Sequence, residues 1–182
     1  MNRIIRFSIL LCAAFVVACG DDAVEQKELK GNKRQEAITE IKRWEREMRN
    51  SAELSPLVAD SALRAYKAFV TQFPEDSLSG GFVYKSAEIQ TAIGRYDDAL
   101  ASYKLIPFKY PKFHLAPESL FQQASLLDNY MNKEGEARMI YMQVIEKYPG
   151  TNLAMDAKAA VQNLGKSDQE LIEEFKKKNK EN

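Results

Sequence analysis

Few side chains in this 182-residue chain are equipped for chemistry: two thiols, Cys12 and Cys19, a single imidazole, His114, and acid pairs such as Asp97-Asp98. Cys19 sits at the seam of VVACGDD, where an oily run turns acidic within three residues. His114 lies in PKFHLAPE, between two prolines, and reads as a turn residue rather than a ligand or base. Asp97-Asp98 open an expected helix, where negative charge stabilises the macrodipole, so they read as helix-start residues rather than an acid–base pair. The chain has no glycine-rich phosphate loop and no metal-ligand spacing. These residues therefore predict no enzyme, no metal and no cofactor, and leave Cys19 as the one position with a chemical role to explain.

That role follows from the residues ahead of it. Arg3 and Arg6 precede Phe7 to Ala18, an almost uninterrupted apolar stretch of 12 residues. As a helix rising about 1.5 Å per residue it would reach about 18 Å, short of the roughly 30 Å of bilayer hydrocarbon. Positive end, short apolar run and small residue are the parts of a secretory signal, expected over residues 1–18. Val16-Val17-Ala18-Cys19 resembles the bacterial lipobox, [LVI]-[ASTVI]-[GAS]-C. The resemblance implies cleavage before Cys19, a diacylglycerol on its sulfur, an acyl chain such as palmitate on its new amine, and a membrane anchor of two or three chains. The alternative is a plain cysteine inside a discarded signal. Cleavage would remove Cys12, leave no thiol for a disulfide, and take two of the 26 basic residues from a chain with 26 acidic ones. Such a near-neutral surface gives no electrostatic case for nucleic acid. Residues 19–32, Cys19 and most of the polar run GDDAVEQKELKGNK that follows it from Gly20 to Lys33, read as a lipidated flexible tether.

The elements that would stand on this anchor are legible as a repeat. AYKAFVTQFP ends at Pro74, SYKLIPFKYP at Pro111 and IYMQVIEKYP at Pro149, with Tyr66, Tyr103 and Tyr141 eight residues before each proline. Ala62, Ala99 and Ala137 precede those tyrosines by four, and every column advances by 37 and then 38. Ala87 and Ala124 recur 13 residues after Pro74 and Pro111, so the extra residue of the third unit belongs to a turn near Asn132 to Gly135. Apolar residues at 3-4-3 spacing predict helices, and each proline forces the preceding residue out of the α region. Four hairpins follow: Lys33 to Arg49 with Pro56 to Gln72, Gly80 to Ile93 with Tyr96 to Tyr110, Ala116 to Met131 with Glu134 to Tyr148, and Asn152 to Leu164 with Asp168 to Lys178.

The pattern resembles the tetratricopeptide repeat, most clearly where Ala87, Gly94, Tyr96, Ala99, Tyr103 and Pro111 match that family's small, turn and packing positions. The resemblance implies an all-α fold, an α–α superhelix of about three repeats with a terminal cap hairpin. Its solenoid would span residues 33–166, with a capping helix and tail over 167–182, where Ser167 to Glu170 form a capping box ahead of Leu171, Ile172 and Phe175. The family repeat is 34 residues; here three more lie in PEDSLSGG and PKFHLAPE. Longer turns with F-P or Y-P endings are similar to a periplasmic branch that includes the lipoprotein of the outer-membrane β-barrel assembly machine and the repeat half of the Tol–Pal partner protein.

Solenoids act by binding along the face of their first helices. Carrying over the family's groove positions from Ala87 and Ala124 gives Tyr84, Glu88 and Thr91, then Glu118, Phe121, Ser125 and Asp128, as either a binding groove or a solvated face. Pro107, inside a helix whose counterparts carry Val70 and Ile145, predicts a kink, a loosened last turn or a shaped contact surface. Trp44 reads as core, with interface the alternative. The resemblance implies a non-catalytic scaffold, lipid-anchored at the periplasmic face of the bacterial outer membrane and binding envelope proteins or peptides. Its role would lie in outer-membrane protein assembly or, alternatively, in a Tol–Pal, cell-wall or division-linked adaptor.

Overall fold

The structure, a computed structural model, describes residues 21–166 together with Glu170, Ile172, Lys176 and Lys177. The signal expected over 1–18, Cys19, and most of the capping helix with its Ser167, Leu171 and Phe175 lie outside the described residues. Within them run seven helices and no strand: α1 Asp21–Asn50, α2 Pro56–Gln72, α3 Ser79–Ala92, α4 Tyr96–Lys109, α5 Ala116–Asn129, α6 Glu134–Lys147 and α7 Asn152–Asn163. Each packs against its predecessor and its successor, and α5 also touches α7. This is a tetratricopeptide-like α solenoid. No helix among the described residues is long and apolar enough to cross a membrane.

The first helix departs from expectation. The polar run read as a flexible tether is helical from Asp21, so α1 is 30 residues long rather than beginning at Lys33. The tether reading is corrected over residues 21–32. Glu, Gln, Lys and Ala are good helix formers, only Gly31 opposes them, and the helix propagates outward from the part that packs on α2.

Repetition extends from sequence to backbone geometry. Phe73, Tyr110 and Tyr148, the residues before the prolines, have φ/ψ of −129°/58°, −125°/53° and −128°/51°. Each donates its N–H back into its helix, to Phe69 O, Ile106 O and Val144 O. The chain then steps in threes: Asp76 N to Phe73 O and Ser79 N to Asp76 O, Phe113 N to Tyr110 O and Ala116 N to Phe113 O, Thr151 N to Tyr148 O and Ala154 N to Thr151 O. Proline supplies no N–H, so the helix ends, and this fixed turn aims the next helix.

The turns within hairpins show where the third unit places its extra residue. Gly94 has φ +76°, and Arg95 N then donates to Gln90 O, five residues back. In the third unit Asn132 takes the left-handed position at φ +52°, and Lys133 N donates to Leu127 O, six residues back. Asparagine tolerates that conformation better than other side chains with a Cβ, so the longer turn closes in the same way.

Helices approach closely along the small-residue columns. Ala62, Ala87, Ala99, Ala124 and Ala137 are all 0–1% exposed, and Tyr66, Tyr103 and Tyr141 are 1%, 4% and 2% exposed beside them. We expect Ala99→Leu to overpack this contact and cost about 1–3 kcal/mol. Urea denaturation checks it, and a parental midpoint would place Ala99 away from a helix contact. Trp44 packs against the cluster of Ile38, Ile41, Ala59, Ala62, Tyr66 and Phe69, its indole N–H donating to Glu40 Oε1 at 2.6 Å.

Pro107 leaves α4 continuous to Lys109, with the same closing geometry as α2 and α6. Having no N–H, it frees the carbonyl of Tyr103, which accepts instead from the side-chain amide of Gln123 on α5 at 3.3 Å. This accounts for a glutamine only 4% exposed in an otherwise apolar contact. A side chain of one repeat thus completes the backbone of its predecessor.

Candidate functional site

Two adjoining hollows open along the first-helix face. One, of about 310 Å³, is lined by Glu45, Met48 and Arg49 of α1, Tyr66 of α2, and Lys85, Glu88 and Ile89 of α3. The other, of about 470 Å³, runs between α3 and the α4–α5 turn, where Leu78, Phe82, Tyr84, Phe113 and Leu115 form mostly apolar walls. Lys85 and Glu88 belong to both, so the two make one groove.

Its floor is aromatic. Tyr84 is 9% exposed, meets Tyr103 edge-to-face at 5.6 Å between ring centroids, and has Phe113 at 6.1 Å. Phe113 is held there by a close approach: a Cβ on Gly80 would come within 3.2 Å of the Phe113 side chain and of Tyr110 Cβ. Glycine lets the turn that carries the cavity wall lie this close to α3; a larger residue would press Phe113 and Tyr110 back by a few tenths of an ångström. Tyr66 Oη donates to Glu45 Oε1 at 2.9 Å, while the Thr91 hydroxyl lies near the Tyr103 phenol and the Ser125 hydroxyl near that of Tyr141. In each hairpin a polar residue of the first helix thus stands beside the buried tyrosine of the second.

The electrostatics are lopsided. Lys85 Nζ donates to Glu45 Oε1 at 2.6 Å, joining α3 to α1. Burial would raise the Glu45 carboxyl, but the hydrogen bonds from Lys85 and Tyr66 outweigh it and hold the group below the usual carboxylate range. Further along, the balance reverses. Glu88 is open to solvent, yet burial of its surroundings pushes its carboxyl up against the opposing pull of Lys85. Asp128 is raised by burial and by Glu134. Burial first, then Glu118 and Glu88, push the Tyr84 phenol up to about 12. Tyr103 is raised by burial, and Tyr84, Glu88 and Glu118 add to the shift. These phenols are neutral hydrogen-bonding groups at any physiological pH.

Of the seven residues read as groove positions, Tyr84, Glu88, Thr91 and Glu118 gather around the Tyr84–Tyr103 pair. Phe121, Ser125 and Asp128 surround Tyr141, with Phe121 edge-to-face on its ring at 5.2 Å. Tyr84 and Glu88 line the larger hollow. Glu118 accepts from Gln122 Nε2 at 3.0 Å, and Thr91 Oγ1 donates to Ala87 O at 2.8 Å. His114 is exposed in the α4–α5 turn at the cavity edge, its ring 4.6 Å from Phe113. Asp97 and Asp98 occupy the first turn of α4.

Sequence reasoning passed over Glu45, Lys85, Phe82, Phe113 and Leu115. Glu45 lies on the first helix of the unit that matches the repeat only in its second. Phe113 and Leu115 carried a usable signal, because two apolar residues in an extended inter-repeat turn need something to cover them.

No group of three potential metal ligands converges among the described residues. What the groove offers chemically is apolar surface, phenol hydroxyls and unbalanced carboxylates. A family model described as tetratricopeptide repeat matches residues 118–151, which take in most of α5, all of α6 and the turn after it. No curated protein matches the chain. That match lies within a run of like hairpins, and over those residues the chain is similar to the tetratricopeptide repeat.

Proposed function

We propose that the protein is a non-catalytic scaffold, held by a lipid on Cys19 to the periplasmic face of a bacterial outer membrane, that binds envelope proteins during outer-membrane protein assembly. The observation that carries the scaffold reading is the groove along α1, α3 and the α4–α5 turn, whose walls come from two successive hairpins and the turn that leads into the third. Tetratricopeptide repeats are protein-binding modules, and a hollow of about 470 Å³ accommodates side chains of a partner. The anchor rests on the lipobox resemblance at Val16 to Cys19. Gly20 rather than Asp after the cysteine favours the outer membrane, as in enteric lipoproteins. A second reading, a Tol–Pal, cell-wall or division-linked adaptor, is favoured by the 30-residue α1, whose exposed Leu29 lies ahead of the part that packs in the first core.

Two measurements test these statements. Cys19→Ser is expected to abolish incorporation of labelled palmitate and to release the protein from the membrane fraction or leave it uncleaved. Unchanged labelling would defeat the anchor. A photo-crosslinking residue at Thr91, activated in the native envelope, is expected to capture barrel-assembly proteins, whereas Tol–Pal components would favour the second reading. Capture of no protein from this position would overturn the scaffold itself.

A further inference from the structure

The charge left over in the groove identifies the kind of segment it takes. On the α1 side the charges are matched: Lys85 lies 2.6 Å from Glu45, and Arg49 also acts on Glu45. From Glu88 onward no ion pair answers the carboxylates: Lys85 is bonded to Glu45 and acts on Glu88 only through space. Glu88 and Asp128 have neither a hydrogen-bond nor an ion-pair partner among the described residues, and Glu118 has only the neutral amide of Gln122. Glu88 and Glu118 act on the same two phenols, Tyr84 and Tyr103, so their fields overlap beside the apolar hollow.

Resting on the scaffold reading above, we propose that this groove receives a linear segment of a partner protein carrying an apolar or aromatic side chain beside a lysine or arginine. The apolar side chain enters between Phe82, Tyr84, Phe113 and Leu115, and the cation comes to rest between Glu88 and Glu118. The pairing follows from desolvation. An exposed carboxylate with no ion-pair partner accepts charge-assisted hydrogen bonds from a guanidinium or ammonium, and burial of the neighbouring apolar side chain in the hollow withdraws that new pair from water and strengthens it. An arginine adds bidentate geometry and can lie against a tyrosine. An acidic segment would place like charges together in a low-dielectric hollow and is rejected.

The test uses the full chain in detergent and three fluorescent peptides of equal length. One has phenylalanine flanked by arginines, one has glutamates for the arginines, and one has serine for the phenylalanine. Anisotropy titration is expected to show the first bound at least about tenfold more tightly than either other, with added salt weakening it. The double variant Glu88→Gln/Glu118→Gln is expected to lose most of the preference for arginine over glutamate. Glu146→Gln, an exposed change on α6, should keep it. Should the double variant fold poorly by circular dichroism, the single reversal Glu88→Lys at an exposed position carries the same expectation. Equal or tighter binding of the glutamate peptide, a preference that survives in the variants, or no binding of any peptide would overturn the proposal. Capture of envelope proteins from Thr91 alongside such a result would leave the scaffold standing and remove only its charge preference, whereas failure of that capture strikes the scaffold.

Discussion

Phe69→Ala is expected to cost about 3–5 kcal/mol, a large part of the roughly 5–15 kcal/mol that holds a typical domain folded. Phe69 is 0% exposed and stands where three helices meet. Its ring lies 4.9 Å edge-to-face from Phe82 of α3 and 5.1 Å from Phe73, while Tyr66 stacks on Phe82 at 5.2 Å. Truncation leaves a cavity whose walls are other rings, held by their own helices and unable to collapse inward. The loss should be local. The cluster around Phe69 draws on α1, α2 and α3, whereas a separate cluster of Leu100, Leu120, Leu127, Tyr141 and Val144 holds α4 to α7. In a linear stack, each unit is stabilised mainly by its neighbours. Trp44 is the one tryptophan and packs on the first cluster, so its fluorescence reports that unit. In the variant the fluorescence transition should fall at lower urea than the loss of helical circular dichroism. Coincident transitions, or a shift well under 1 kcal/mol, would mean that the two aromatic contacts of Phe69 do not bear on stability in this way.

Gln123→Leu is expected to cost about 1–3 kcal/mol, because it leaves the carbonyl of Tyr103 buried without a donor. The cause can be isolated. In a Pro107→Ala background residue 107 regains an N–H, the helix satisfies Tyr103 O by itself, and the same leucine should cost at least about 1 kcal/mol less. Four urea melts complete the cycle. Equal costs in both backgrounds would mean that Gln123 is held for another reason, such as its second bond to Ser119 O at 3.3 Å.

Most of the fold was legible because the signals that make it are local. Each proline at Pro74, Pro111 and Pro149 acts on its immediate neighbour, and the helix ends at Gln72, Lys109 and Lys147 fall one residue inside the C-capping position. A 3.6-residue apolar period needs only its own helix, and the inserted residue of the third unit could be assigned to its turn from two alanine columns alone. The start of α1 was missed for a related reason: a polar run of good helix formers has no apolar period to betray it, and its helicity comes from continuity with a packed segment downstream.

The sequence by itself determined where the helices of the described hairpins stop and which small residues let them touch, since those depend on backbone sterics over a few residues. Only the tertiary structure decided which carboxylates keep a counter-ion, that Gln123 completes the backbone at Pro107, and that Phe113 lies over Gly80 to wall a hollow. These contacts join residues 40, 20 and 33 positions apart. Burial and Coulomb interaction depend on distance through space, which no short window of sequence contains.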